Sequence, residues 1–171
     1  MNIHLEHEIA LGEDAFWKAF FDRGFNEQLY RHHLKFPEFE VVELVETEAE
    51  IRRRIKVLPN LDMPGAVQKV LGSSFRYTED AVFDRKTRIL RTKTTPSMLA
   101  DKTKNESTLK LVPLGDDKVR RILDVIVEVK LFGLGGALEG TFEKAIRDGW
   151  NKSAAYMNAK VAELRAAAPA G

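Results

Sequence analysis

The chain has 171 residues, 44% of them hydrophobic, so one domain can bury a core unaided, and the lack of cysteine excludes a disulfide framework and thiol chemistry. Lys and Arg number 27 against 26 Asp and Glu, and the net charge of +1 leaves no electrostatic footprint for nucleic acid or an anionic membrane. Residues 1–8 interleave charges and lack the blocks of a signal peptide, and no uncharged apolar run could span a bilayer. A cytoplasmic protein without an integral membrane segment is expected, with transient membrane contact left open and the oligomeric state not readable.

In chain order, Ile3, Leu5, His7 and Ile9 share one face of a first strand. Gly12-Glu13-Asp14 then opens an aromatic-rich helix, Ala15 to Phe21, and after Gly24 a second helix is predicted over Phe25 to His33. Strands are predicted over Phe39 to Thr47 and Glu50 to Leu58, joined by a hairpin at Glu48-Ala49 that lacks glycine. The apolar segment Leu58 to Leu71 is interrupted by Pro59, Asn60, Pro64 and Gly65. It is predicted to hold a short helix started near Pro64, stopped by Gly72, and hung on flexible joints like a cover. Three further strands follow, Ser73 to Asp84, Thr87 to Thr95 and Lys104 to Val112.

The end of the chain is the most regular part. From Lys118 to Leu131, Val119, Leu123, Val125, Val127 and Val129 alternate with Arg120, Asp124 and Glu128, which is a half-buried strand. The turn Gly133-Leu134-Gly135-Gly136 leads into one long helix reaching about Leu164, with Leu138, Phe142, Ile146, Met157, Val161 and Leu164 along one face. Residues 1–165 are read as a single domain and 166–171 as a disordered tail. The order β-α-α, six strands, then a long helix predicts an α+β helix-grip fold, a curved seven-stranded antiparallel sheet wrapped around the C-terminal helix.

With those elements in place, the chain resembles the START-like, or SRPBCC, superfamily of birch-pollen-allergen-like proteins, polyketide cyclases and lipid-transfer domains. Leu58-Pro59, the cover-like segment after it, and the stretch from Val129 through Lys130-Leu131-Phe132-Gly133 to Glu139 look most like one of its uncharacterised domain-of-unknown-function families. The resemblance implies a cavity between sheet and helix that takes sterols, phospholipids, polyketides or other apolar molecules. It implies no shared catalytic set, because fold alone does not carry chemistry.

Polar residues on apolar strand faces are the candidates for lining such a cavity. Arg53 interrupts the face of Ile51, Ile55 and Val57; Glu79 lies with Tyr77, Ala81 and Phe83; Arg121 lies with Val119 and Leu123. A buried charge without a partner costs several kcal/mol, so Arg53, Glu79 and Arg121 must find each other, water or a ligand group. The candidate ligand-binding set is Arg53, Tyr77, Glu79, Thr92, Arg121, Phe142 and Ile146, with no catalytic, cofactor or metal residues. His7 has no nucleophile or metal-ligand spacing around it and reads as a satisfied or strand-edge histidine.

Other motifs fail on inspection. Gly133, Gly135, Gly136 and Gly140 make neither a dinucleotide fingerprint, since Leu138 stands at a required glycine, nor a P-loop, since Thr141 stands where the lysine belongs. His32-His33 cannot ligate one metal from a regular helix because adjacent residues do not share a face. Arg52-Arg53-Arg54 is split between two strand faces and is no nucleic-acid patch. The expected function is non-catalytic binding or transfer of an apolar small molecule or lipid. One alternative is a cyclase- or hydratase-like enzyme using a pair such as Arg53 and Glu79, or Tyr77, on a substrate carbonyl. Another is an interaction module with a filled cavity and the Leu58 to Leu71 segment as its contact surface.

Overall fold

The structure is a computed structural model and describes residues 1–168. Its strands are β1 (Asn2–Ile9), β2 (Glu38–Glu46), β3 (Glu50–Leu58), β4 (Tyr77–Asp84), β5 (Ile89–Pro96), β6 (Thr103–Pro113) and β7 (Val119–Val129). They form one curved antiparallel sheet in the order β1-β7-β6-β5-β4-β3-β2. Neighbours in sequence pair from β2 to β7, and β1 closes the far side by pairing with β7, Ile3 opposite Val125 and Ile9 opposite Val119. The alternation read for the last strand is the structure's own: Val119, Arg121, Leu123, Val125, Val127 and Val129 are all buried.

Local chemistry explains how the strands are joined. The β2–β3 hairpin turns without glycine because the Thr47 hydroxyl accepts from the backbone N–H of Ala49 at 3.3 Å and Glu50 at 3.1 Å, and the Thr47 N–H donates to Glu50 O at 2.9 Å. A bulge between Val41 and Glu43 bends β2, the edge strand. Residues 73–76, expected to open β4, lie outside it: Arg76 instead exchanges bonds with Ser97, N–H to Oγ at 3.0 Å and Ser97 N–H to Arg76 O at 2.7 Å. β5 and β6 pair only from Leu90 to Lys93, so the ladder between them ends early, while Thr94 still pairs with Glu79 of β4 and Thr103 with Val129 of β7.

Helices cover the concave side. In α1 (Glu13–Phe21), Phe16, Trp17 and Phe21 are buried, with Trp17 packed on Phe83 at 4.3 Å between ring centroids. The break after α1 falls at Asp22, not Gly24, because the Asp22 carboxylate accepts from Phe25 N–H at 2.6 Å and caps α2 (Arg23–Glu27). The regular helix expected to His33 is also corrected. From Gln28 to His33 the chain widens into a π-helical turn, marked by Leu34 N–H bonding to Leu29 O at 2.8 Å. α3 (Gly65–Leu71) is started at Pro64 and ended at Gly72, whose φ of 70° favours glycine. Its Val67 and Leu71 are fully buried, so the apolar side of this segment faces inward rather than forming a contact surface.

The C-terminal helix α4 (Gly135–Ala167) has 33 residues, about 50 Å at the helical rise. Ala166 and Ala167, expected in the frayed tail, continue it; residues 169–171 lie outside the described residues. At its start, a Cβ on Gly135 would stand 2.5 Å from Val129 O, so only glycine permits this approach of helix to strand. Glu139 Oε1 accepts from Val129 N–H at 2.9 Å in the next turn. Towards its end, Asn158 accepts from Ala10 N–H at 2.8 Å and donates to Glu8 O at 2.9 Å. Among the described residues, no helix is long and apolar enough to cross a membrane.

Candidate functional site

The middle of α4 does not close onto the sheet. Leu138 at one end and Ala154, Met157 and Val161 at the other are buried, whereas Phe142, Ile146 and Gly149 between them are only half-buried and border a cavity of about 190 Å³. Leu164, expected on the buried face, is 72% exposed. The opposite wall is the inner face of β3 to β7. A third wall comes from Phe20 of α1, Phe25 of α2, and Leu29 and Tyr30 of the π-helical turn, and Pro59 and Leu61 line it from the segment before α3. All seven residues singled out from the sequence, Arg53, Tyr77, Glu79, Thr92, Arg121, Phe142 and Ile146, border this one cavity.

The two inward arginines do not meet each other. Arg53, 3% exposed, gives one Nη to Glu79 Oε1 at 2.9 Å and the other to Phe20 O at 3.1 Å, and its guanidinium lies over the Phe20 ring at 4.6 Å. This is an internal ion pair: β3 and β4 are in a register that sets Ile55 opposite Glu79 and Arg53 opposite Ala81, which puts the two side chains on one face two residues apart. Tyr30 and Tyr77 stand in the same region. Burial pushes both phenols above their ordinary pKa, and the Glu79 carboxylate adds to the effect.

Arg121 is 1% exposed and has no carboxylate among its partners. It donates to Ser153 Oγ at 2.9 Å, to Trp150 O at 2.8 Å and to His7 Nδ1 at 3.1 Å, and stacks over the Trp150 ring at 4.7 Å. His7 bonds Asn151 Oδ1 through Nε2 at 2.8 Å; accepting at Nδ1 and donating at Nε2 is the neutral tautomer. Burial, together with the Arg121 charge, lowers the His7 pKa, which agrees with that assignment. Burial also pushes the Arg121 guanidinium down to about 9, so it remains charged at neutral pH.

Several lining residues escaped the sequence analysis. Thr94, Asn105 and Ser107 add a polar stripe on β5 and β6, and strand parity, applied to β5 and β6 as it was to Arg53, Glu79 and Arg121, could have found them. Trp150 and Ser153 sit on the inward stripe of α4 but carry their roles through Arg121, a contact no spacing announces. Tyr30 was hidden by the π-helical turn, which shifts it off the face a regular helix would give it.

Among curated proteins, none matches the sequence. Solved structures do match over nearly the whole chain. The chain is similar to a Thalictrum flavum norcoclaurine synthase point mutant, with a TM-score of 0.64 and 18% identity over 96% of each chain. It is similar to the Zhui aromatase/cyclase of Streptomyces sp. R1128, with a TM-score of 0.62 and 16% identity over 100% of this chain and 99% of that one. A START superfamily protein from Mycobacterium smegmatis matches with a TM-score of 0.56 and 16% identity over 95% and 98%. At these identities the likeness is one of fold, the helix-grip fold of the START-like superfamily. Residues 4–161 match one family model, so the chain belongs to the family described as "Protein of unknown function (DUF2505)".

Proposed function

We propose that the protein binds or transfers an apolar small molecule or lipid in the cavity between the sheet and α4, without itself catalysing a reaction. The observation that carries this reading is that the central face of α4 borders empty volume although the helix is anchored to the body at both ends. A volume of about 190 Å³ lies below the roughly 300–1,000 Å³ of typical ligand pockets, so a small ligand fits directly and a larger one requires a wall to move.

Gly149 supplies the test. It borders the cavity, and a Cβ built there meets no atom within 4 Å. Gly149→Leu should fill the volume, raise the melting temperature of the ligand-free protein, and abolish retention of any apolar molecule detected by native mass spectrometry and solvent extraction of the wild type. A Gly149→Leu protein that retains the same bound molecule at the same occupancy would refute the site.

A cyclase- or hydratase-like activity is the second reading. It is favoured by the Arg53–Glu79 pair beside two tyrosines of raised pKa, a set able to orient and polarise a carbonyl. Turnover of an added polyketide-type substrate that is lost in Tyr77→Phe while binding persists would establish it over simple binding.

A further inference from the structure

We infer that the ligand is an amphipathic carboxylate, held with its carboxylate at Arg121 and its apolar part along Leu123, Val125, Ile146 and Phe142. This rests on the apolar-cavity reading above and adds the chemical class of the ligand. The argument begins from a comparison of the two buried cations. Arg53 has an Nε–H without a partner among the described residues, but its charge is neutralised inside the protein by Glu79. Arg121 is at least as deeply buried, and its three acceptors are a hydroxyl, a backbone carbonyl and a neutral imidazole.

A guanidinium carries five N–H donors, and three hydrogen bonds to neutral groups leave it unsatisfied in both charge and geometry. Its Nε–H has no partner among the described residues. Nothing charged packs on it from the other elements: His7 from β1 is neutral, and Trp150 and Ser153 from α4 carry no charge. A charge enclosed this way without a counter-ion is costly, and it is retained at low cost only where an anion comes and goes. With both hydrogens of one Nη given to His7 and Trp150 O, the free Nε–H and the second hydrogen of the other Nη are the donors left for a carboxylate, each as a single charge-assisted bond. The aromatic face of Trp150 and the bond to Ser153 hold the guanidinium in place before the anion arrives.

The cavity has the right shape for the rest of the molecule. From Arg121 to Val125 the strand advances about 13 Å, and from Trp150 back to Phe142 the helix advances about 12 Å. Leu123, Val125, Ile146 and Phe142 therefore continue away from the guanidinium as two facing apolar walls. The polar stripe of Thr92, Thr94, Asn105 and Ser107 runs beside them and provides neutral hydrogen bonds, not a second charge.

The test uses octanoate and 1-octanol, alike in chain length and different in charge, titrated calorimetrically into the full chain. Arg121→Met should weaken octanoate at least about tenfold, equivalent to about 1.4 kcal/mol, and leave 1-octanol within about twofold. Arg121→Lys should recover part of the octanoate affinity. Equal loss for both probes, or no loss for either, would overturn the assignment while leaving the cavity reading intact. If neither probe binds the wild type, the cavity reading fails and this inference fails with it.

Should Arg121→Met prove too unstable to purify, a measurement on the wild type covers that outcome. In [1-13C]octanoate bound to the protein, the carboxyl carbon shift should titrate about one pH unit or more below the free acid, because the cation favours the ionised form. An apolar cavity without that contact would raise the carboxyl pKa, and an unchanged or raised value overturns the inference.

Discussion

The Arg53–Glu79 pair can be dissected by a double-mutant cycle whose magnitudes follow from its burial. The side chain of Arg53 is 2% exposed and that of Glu79 is 17% exposed. Glu79→Leu would strand a guanidinium with only Phe20 O as acceptor, and removing one partner of a buried pair costs about 3–5 kcal/mol. Arg53→Met would strand a carboxylate that borders the cavity and can take up water there, so the loss should sit lower, at about 2–3 kcal/mol. Arg53→Met also removes the stacking on Phe20, at about 1 kcal/mol, but returns the cost of burying the cation. The double variant, apolar at both positions, should lose only about 1–2 kcal/mol, giving a coupling energy of about 3–7 kcal/mol. Denaturant melts of the four proteins at neutral pH measure each corner of the cycle. Single losses that simply add, with coupling under about 0.5 kcal/mol, would refute the claim that the two charges neutralise each other.

Phe142 stacks on Phe75 at 5.9 Å but faces the cavity, so Phe142→Ala should cost about 1–2 kcal/mol in a denaturant melt; a loss of about 3–5 kcal/mol would mean a closed core at that place. Gly135→Ala drives a Cβ to 2.5 Å from Val129 O and should destabilise by about 2–3 kcal/mol, whereas Gly136→Ala, with nothing within 4 Å, should be tolerated; thermal melts of both separate contact from composition. The folded-state pKa of His7 lies below its unfolded value of 6.5, so as pH falls through 6.5 the unfolded chain takes up the proton first and stability drops until the folded-state pKa is passed. His4, whose pKa is raised by Asp124 and Glu6, works in the opposite direction, so the readout is the difference between wild type and His7→Gln melts over about pH 5 to 7. That difference should show the variant losing less stability on acidification; parallel curves would mean that His7 is not held neutral.

Much of this fold could be read before any coordinates because β7 and α4 state their periods plainly. The buried face of Val119 to Val129 is apolar except for Arg121, although Ile122 and Ile126 lie on the other face, and a one-residue slip would turn that whole face to the other side of the sheet. The same parity placed Arg53, Glu79 and Arg121 inward. It could not say which arginine would find the carboxylate, because that depends on the β3–β4 register, set by the whole ladder, and on Trp150 and Ser153 meeting Arg121 across the cavity. The periodicity of α4 had a related blind spot. Phe142 and Ile146 have the same residue character as Leu138 and Met157, so spacing alone does not separate a wall of empty volume from packed core. The backbone departures were the least legible: the break at Asp22 rests on a single capping carboxylate, and the π-helical turn has no compositional mark.

The close contact at Gly135, the Glu139 bond to Val129 and the Asn158 clasp on β1 make α4 a beam clamped at both ends over a cavity-lined span, which meets the body through Phe142 on Phe75 and through Trp150, Asn151 and Ser153 at Arg121 and His7. Such a beam is stiff against being lifted, since raising its middle breaks end contacts on both sides. Any swelling of the chamber beneath it must therefore be taken up by the other walls, where the backbone is least regular: the widened turn from Gln28 to His33, the Pro59 to Pro64 approach to α3, and the seam where β5 and β6 stop pairing. On the proposed binding function, the size of guest is thus governed by those yielding panels. The long helix fixes the direction in which the guest must lie.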